Sequence, residues 1–376
     1  MAAIDINGKF LGAKLNGVHR TAAHYARQLI SRSEGAHSVR LLAPKHIEGH
    51  PDFPELTPHV AKGWFGAGQG WEMVTLPIRA RGNLLVNFCN LAPLAHANSV
   101  VMIHDAQTFL YPQDYSGRQA MAYRRLLPGI ARRARRVITV SDFARRSLVS
   151  HGVGSADRIE VIHNGTDHIR AVEEDASILG RHGLERNGFV LTLGSTKHYK
   201  NLRRVFEAMA DHQSNDVKLV IAGGPDEVNY RRMGWVPPPC AVFTGFVTDA
   251  ELRALYGAAG AFVFPSLTEG FGLPPVEAMH CGAPVIAARA GAMPEVCGDA
   301  ALLVDAEDPG AYRAAIDAVL KDPDLSAKLR SRGLRRASQL SWDAAGERLL
   351  ELVNRLVAEE RGSPPPVAVR PSGSAG

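Results

Sequence analysis

Two glutamates, Glu269 and Glu277, frame the segment EGFGLPPVE inside a longer run, FVFPSLTEGFGLPPVEAMHCGAPVIA, from Phe262 to Ala287. The run opens as a buried strand, and Gly270 and Gly272 then permit a turn whose backbone can approach a ligand closely. Pro274 and Pro275 suit the first turn of a helix running towards His280, where a missing amide hydrogen costs little. Unpaired amides of the turn are thereby set near the end of a strand, an arrangement that suits an anionic group or a polar sugar face. The spacing of the two acids, with a loop between them, does not by itself define an acid/base pair. Taken singly, each also fits a solvated loop acid or a helix N-terminal acid favoured by the dipole.

Cations and a histidine come from elsewhere in the chain. In LTLGSTKHYKNL, Lys197 and Lys200 follow an apolar run and precede a helix, where a cation facing a crevice neutralises a diphosphate leaving group as its charge builds. Lys200, directly before Asn201 at the expected helix start, is the better placed of the two, although surface lysines are common at such positions. The run SVVMIHDAQTF sets His104 and Asp105 at the C-terminal end of a strong strand, the edge at which open α/β sheets bind ligands. His104 there can bond a substrate hydroxyl or share a proton, with Asp105 orienting it; a capping role fits the same pair. Gly17, in the loop from Asn7 to Arg20, stands at a helix start open to a phosphate, but the loop is neither GxGxxG nor a P-loop.

Positioning these residues requires a parallel sheet at each end of the chain. Strands are predicted at Val39–Ala43, Val100–Ile103, Val137–Val140 and Ile159–Ile162, and again at Phe189–Leu193, Val217–Ala222, Ala241–Phe243, Ala261–Phe264, Pro284–Ala287 and Ala301–Val304. Helices are predicted between them at His19–Arg32, Ala120–Arg133, Asp142–Ser150, Leu202–His212, Asp249–Gly257 and Pro309–Lys321. The fold class is therefore α/β, with two units in tandem: an N-terminal domain over 1–165, a polar linker over 166–187 and a second domain over 188–341. A crevice between the units is the expected ligand site. An amphipathic helix over 342–360 is expected to cross back to the first domain, and the Pro-, Gly- and Ser-rich residues 361–376 are expected to be disordered.

With 376 residues, 45% of them hydrophobic and 22% charged, the chain has the composition of a soluble globular protein. The 43 basic residues against 38 acidic ones leave a mild excess that is compatible with an anionic ligand or surface. Between Arg118 and Arg146, nine arginines stand against Asp142 alone, which reads either as a solvated face or as a platform for an anionic membrane or polyanionic acceptor. No aromatic stacking series accompanies them, so nucleic acid is not expected as a partner. The cysteines Cys89, Cys240, Cys281 and Cys297 are too dispersed for a zinc site or a disulfide framework, and no HExxH or other compact metal cluster is present. The opening residues lack a secretory leader, no stretch is long and apolar enough to span a membrane, and a reducing, cytoplasmic setting is expected, with any membrane contact peripheral.

The tandem α/β plan together with EGFGLPPVE, the His104–Asp105 pair, VITVSDF, VIHNG, the Lys200 turn and FTGFVTDAELRALY resembles the retaining nucleotide-sugar glycosyltransferases of family 4 over most of Ala3 to Leu356. The resemblance implies two facing Rossmann-like domains with a central cleft, the GT-B architecture. It implies that Glu269 and His104 lie beside the transferred sugar, with Asp105 organising the histidine. Gly270, Phe271, Gly272 and Leu273 would offer backbone donors to the sugar or diphosphate, and Glu277 would hold the ribose. Gly17 and Lys200 would meet the diphosphate from opposite sides, and Gly245, Phe246 and Val247 would lie near the base. Many relatives carry Arg immediately before the equivalent of Lys200, whereas this chain has Tyr199, so Lys197 or another cation would have to assist.

Retention without a protein nucleophile, no metal and no cofactor are implied as well; the pair Asp322 and Asp324 reads as a solvated turn. The expected donor is a nucleotide-diphosphate sugar, with GDP-mannose preferred, and the expected acceptor a glycan or lipid-linked glycan of a bacterial surface. Two alternatives share parts of this pattern. A nucleotide-sugar epimerase would need a different catalytic constellation, and a non-enzymatic nucleotide-sugar binding protein would bind without turnover.

Overall fold

Short valine-, isoleucine- and leucine-rich runs become parallel strands here because helices cover both faces of each sheet. The computed structural model describes residues 1–13, 16–210, 217–360 and 362. Its first sheet holds β1 (Ala2–Asn7), β2 (His37–Ala43), β3 (His59–Val60), β4 (Leu84–Asn87), β5 (Ser99–Met102), β6 (Arg136–Thr139) and β7 (Ile159–Val161), in the order β3-β2-β1-β4-β5-β6-β7. The second holds β8 (Phe189–Leu193), β9 (Lys218–Ala222), β10 (Ala241–Gly245), β11 (Ala261–Phe264), β12 (Val285–Ala288) and β13 (Ala301–Val304), in the order β10-β9-β8-β11-β12-β13. Every strand pair in both sheets is parallel.

Each order reverses once, between β1 and β4 and between β8 and β11. At such a switch point the loops leaving neighbouring strands part to opposite faces and open a crevice. The Gly17 loop follows β1 and the Lys200 loop follows β8, so the topology alone delivers both to crevices.

The principal helices are α1 (Gly17–Arg32), α2 (Gly117–Arg133), α3 (Asp142–Ser150), α4 (Leu202–Ala210), α5 (Asp249–Ala258), α6 (Leu273–His280), α7 (Pro309–Lys321), α8 (Pro323–Ser338) and α9 (Trp342–Glu360). The predicted end of α4 at His212 lies outside the described residues, as does all but Gly362 of the tail predicted to be disordered. α8 is an addition to the sequence reading, and it corrects the solvated turn assigned to Asp322 and Asp324. Asp322 is the N-cap of α8, accepting the amides of Asp324 and Leu325 at 3.0 Å each.

The chain crosses between the domains twice along one seam. Thr166 donates its amide to Leu340 O at 2.9 Å, and the Trp342 amide donates to Asp167 Oδ1 at 2.7 Å. α9 then runs along α1 and is tied to the first domain by Arg32–Asp343 at 3.0 Å and by Arg135, which bonds Leu356 O at 2.8 Å and Glu359 at 3.2 Å. One apolar cluster is continuous from Ile4 and Ala22 through Trp342 and Leu349 to Phe262 and Met279. Among the described residues no helix is long and apolar enough to cross a membrane.

Candidate active site

The turn after β11 is pressed against the first domain. A Cβ at Gly270 would stand 2.0 Å from His104 O, so only glycine lets the two backbones meet at this distance. Ser141, the cap of α3, donates its hydroxyl to Gly270 O. Gly272 begins α6 at φ +82°, where a side chain would also strike Met293. Leu273 follows, and its Cδ1 lies 4.0 Å from where a methyl on Gly17 would sit, which places the starts of α6 and α1 opposite each other across the opening.

Lys200 Nζ bonds Glu269 Oε1 at 2.6 Å, joining the lysine loop to the glutamate turn. Lys197 instead lies over the ring of Tyr115, 4.6 Å from its centroid, and its pKa is lowered by burial and then by neighbouring Lys200. Tyr199, where the family resemblance implied a cation, is buried and serves as a joint. Its amide donates to Asp114 Oδ2 at 3.1 Å, and Asp114 Oδ1 also accepts the His198 amide at 2.9 Å and lies 2.7 Å from His198 Nδ1. Burial disfavours the Asp114 carboxylate, yet these bonds prevail and hold its pKa below the ordinary value.

Glu277 is buried on α6 with His168 Nε2 3.2 Å from its Oε1. Trp342 donates its indole N–H to His168 Nδ1 at 3.2 Å, so Nε2 carries the proton that faces the carboxylate. His24 stacks on Trp342 at 4.4 Å, and burial pushes its pKa down to about 2. Thus the acid on α6 is held by a histidine of the interdomain seam.

On the first-domain side His104 Nε2–H donates to Phe88 O at 2.7 Å, which leaves Nδ1 as an acceptor. Burial lowers the His104 pKa to about 4, so the ring is neutral. Its amide donates to Asn90 Oδ1 at 2.8 Å, and Asn90 sits in the left-handed region at φ 64°, which asparagine tolerates better than most residues. Asp105 does not orient His104, contrary to the expectation from their adjacency. Its carboxylate turns to the Gln107 amide at 2.9 Å, and burial raises its pKa to about 6. Gln107 in turn accepts from the Tyr115 hydroxyl at 2.9 Å and donates to Thr268 O at 3.3 Å, a further contact between the domains.

These groups surround a single cleft of about 760 Å³. All the predicted site residues line it except Gly245, which ends β10, and Phe246 and Val247, which follow it before α5. Two further bridges close the domains together. Arg20 on α1 forms a bidentate pair with Asp249 at 2.5 and 3.1 Å, and Glu295 accepts the Asp142 and Phe143 amides at 2.8 and 3.0 Å, capping α3 from the opposite domain. Asn90, Asp114, Tyr123, His168 and Glu295 escaped the sequence reading because they act as isolated side chains; Tyr123, inside the predicted helix Ala120–Arg133, and His168, shortly after VIHNG, lay in or near recognised segments.

The cleft between the two α/β domains thus brings together a paired lysine and glutamate, a helix that starts at a glycine and a buried acid on the helix opposite it. Residues 15–170 match Glycosyltransferase Family 4 and residues 178–336 match Glycosyl transferases group 1. The chain is 32% identical over 260 residues to O-antigen chain mannosyltransferase B of Escherichia coli, a match covering 65% of this chain and 67% of that one. It is 26% identical over 237 residues to O-antigen chain mannosyltransferase RfbU of Salmonella typhimurium, covering 62% and 64%. Among solved structures, a sucrose-phosphate synthase from Thermosynechococcus elongatus superposes with a TM-score of 0.71 at 21% identity, covering 96% of this chain and 100% of that one. Anabaena Alr3699/HepE in complex with UDP and glucose superposes with a TM-score of 0.71 at 20% identity, covering 94% and 99%.

The chain belongs to the group 1, family 4 glycosyltransferases and has the GT-B fold. It is accordingly a retaining hexosyltransferase that draws on a nucleotide-diphosphate sugar, which sets aside the epimerase and binding-protein readings.

Proposed function

We propose that this chain transfers mannose from GDP-mannose to a growing bacterial surface glycan. The observation that carries the reading is the Lys200–Glu269 pair at the junction of the two domains, opposite Gly17, His104 and the Glu277 helix; the mannosyltransferase relatives support the choice of sugar. Lys200 neutralises the diphosphate as it departs, and the amide of Gly17 meets it from the first domain. Glu277 holds the ribose, and the main chain at Gly245, Phe246 and Val247 borders the base. His104 and Glu269 lie beside the sugar, and the amides of the Gly270–Leu273 turn bond its hydroxyls or the diphosphate.

The anomeric carbon loses its bond to the β-phosphate oxygen and gains one to the acceptor hydroxyl oxygen on the same face. The hydroxyl proton passes to the departing phosphate. Because the Glu269 carboxylate is engaged by an ammonium group, it serves as an electrostatic partner of the donor and no covalent intermediate on it is required. The test is a panel of GDP-mannose, UDP-glucose and dTDP-glucose with extracted lipid-linked glycans, read as product bearing a new glycosidic bond. Transfer from UDP-glucose in preference to GDP-mannose would overturn the donor assignment.

The enzyme acts in the cytoplasm at the inner face of the membrane. Support comes from α2, which exposes Arg118, Arg125 and Arg132 at seven-residue spacing together with Met121. Arg135, counted in that basic run, is committed to α9. Replacing Arg118, Arg125 and Arg132 by Gln lowers binding to anionic vesicles at low salt if this face meets lipid; equal binding refutes it.

A further inference from the structure

Two segments of the first domain, VITVSDF over 137–143 and VIHNG over 161–165, meet at one carboxylate of the second. Glu295 Oε1 accepts the Asp142 amide at 2.8 Å and lies 2.8 Å from His163 Nε2, while Oε2 accepts the Phe143 amide at 3.0 Å. An ionised carboxylate only accepts, so His163 Nε2 carries the proton between them. Ser141 is the N-cap of α3, and its hydroxyl accepts the Ala144 amide at 2.9 Å. The first three amides of α3 are therefore all bonded, two of them by an acid from the other domain. Burial disfavours the Glu295 carboxylate, yet the bonds from His163 and the two amides prevail and hold its pKa below the ordinary value. Its charge stands at the positive end of α3.

The same residue is tied to the glutamate turn from behind. Glu295 lies on a short helix, Met293–Cys297, and the chain entering that helix runs along the turn. The Ala292 amide donates to Glu269 O at 3.3 Å, and a Cβ on Gly291, at φ +57°, would stand 2.7 Å from the Glu269 amide nitrogen. Arg336 of α8 holds the short helix, bonding Glu295 O at 2.9 Å and Val296 O at 2.8 Å. From the other side Ser141 donates to Gly270 O, and the His163 ring lies 6.0 Å from that of Phe271. The 269–273 turn is thus gripped between the 291–295 segment and the first domain, and the Glu295 carboxylate closes this ring of contacts on the helix that Ser141 caps. Glu295 does not itself line the cleft, so it reaches the reaction through these neighbours.

We propose that Glu295 is a positioning residue for transfer: by bridging α3 and the segment behind Glu269, it fixes the 269–273 turn at its depth against His104. The assignment rests on the glycosyltransferase reading and deepens it. Glu269 and His104 belong to different domains, so their separation is set by how the domains are joined, and a misplacement of about 1 Å at reacting groups costs on the order of 100-fold in rate. Lys200 and Glu277, proposed to hold the nucleotide, lie in the second domain alone. Loss of the bridge should therefore lower kcat and spare nucleotide affinity.

The test gives the full chain GDP-mannose, UDP-glucose and dTDP-glucose with extracted lipid-linked glycans, and reads nucleotide-diphosphate release at saturating donor together with glycosidic product. Glu295→Ala is expected to lower kcat about 30- to 100-fold, with affinity for the donor's nucleotide diphosphate, read by calorimetry, kept within about threefold. Glu295→Gln keeps an oxygen for one α3 amide and is expected to restore kcat to within about tenfold of the wild type. Ser141→Ala, which frees Gly270 O from α3, is expected to lower kcat about tenfold, and the double variant to cost little more than Glu295→Ala alone, because both residues act through one turn. Wild-type kcat in folded Glu295→Ala overturns the proposal even if its melting temperature falls, and so does a defect confined to nucleotide affinity. Losses that multiply in the double variant overturn it as well. Should Glu295→Ala fail to fold, wild-type kcat in both Glu295→Gln and Ser141→Ala has the same force. Absence of nucleotide-diphosphate release by the wild type with every donor would instead count against the transferase reading, and the proposal would fall with it.

Discussion

The second domain meets the cleft chiefly with the lysine loop from Lys197 to Lys200 and the turn from Glu269 to Glu277, whereas the first domain meets it with the start of α1, Asn16 to Thr21, and with residues from several separate segments. Gly17 leads α1, Asn90 follows β4, His104 follows β5, and Gln119 and Tyr123 ride on α2. The difference fits what each side is proposed to recognise. A diphosphate and the hydroxyls around it can be held by backbone amides, and backbone can be brought that close only with glycine at the contact and proline where an amide is dispensable. Side-chain recognition has no such requirement, and the same hydroxyl can be met by asparagine, glutamine or threonine from several places in a fold. On that proposal the donor side is expected to be the more constrained in sequence and the acceptor side the more open to variation.

The sharpest way to break this comparison is to remove the cation on the constrained side. Lys200→Ala is expected to lower transfer by about 10²- to 10³-fold, the scale of losing one preorganised charge at a developing anion. Lys197→Ala is expected to cost about tenfold or less, because its ammonium lies on Tyr115 and its charged form is already disfavoured by burial. Product formation at saturating donor measures both. A Lys197→Ala defect equal to that of Lys200→Ala would show that the two lysines share the role that the family resemblance gives to a cation at Tyr199 and Lys200.

A middle-sized effect is expected where the two sides are joined. Glu277→Gln removes the charged acceptor proposed for the ribose and is expected to weaken nucleotide-diphosphate binding by about 10- to 100-fold, from the worth of a charged hydrogen bond. His168→Leu leaves the carboxylate but removes the N–H that orients it, so a loss of about three- to tenfold is expected. Both should appear in affinity and donor KM, with turnover at saturating donor largely kept. If His168→Leu lowered turnover and left affinity alone, the seam residue would act on domain closure and not on the ribose.

What could be read from the sequence follows the same division. Strand Ala261–Phe264 and helix Pro309–Lys321 have their predicted bounds, since their apolar patterns and flanking breakers are strong. β4 is only four residues long, embedded in NLLVNFCNLAP, and its pattern does not announce it, although the cleft residues Cys89 and Asn90 follow it. The acids and glycines of EGFGLPPVE are legible because the turn tolerates few substitutes. The pairing of Asp105 is misleading in the sequence because adjacency suggests a bond to His104; at a strand end, successive side chains point to opposite sides. Glu295 could not have been found, since its importance lies in capping a helix of the other domain.

The smallest expected effect on rate tests the first-domain side through Asp105. Burial, and then the nearby Glu269 charge, disfavour its ionised form and raise its pKa to about 6, against the opposing bond from the Gln107 amide. A carboxylate whose pKa is raised by folding costs nothing to the folded state below its unfolded value near 4 and destabilises it increasingly as pH rises through 6. Asp105→Asn keeps an oxygen for the Gln107 amide and never ionises. It is therefore expected to be more stable than the wild type at pH 8, by up to about 3 kcal/mol from a shift of roughly two units, with the difference closing as the pH falls towards 4. Activity should move the other way. A negative Asp105 near the sugar stabilises the positive charge that develops as the donor bond breaks, so wild-type transfer should fall several-fold between pH 7 and pH 5. Asp105→Asn should be slower at pH 7 and nearly flat over that range, while neutral His104, with its pKa near 4, adds no step there. Thermal melting and transfer rates over the same pH series decide it: a variant no more stable at pH 8, with the wild-type rate profile intact, would leave Asp105 a loop-forming residue and confine the electrostatics of the reaction to the second domain.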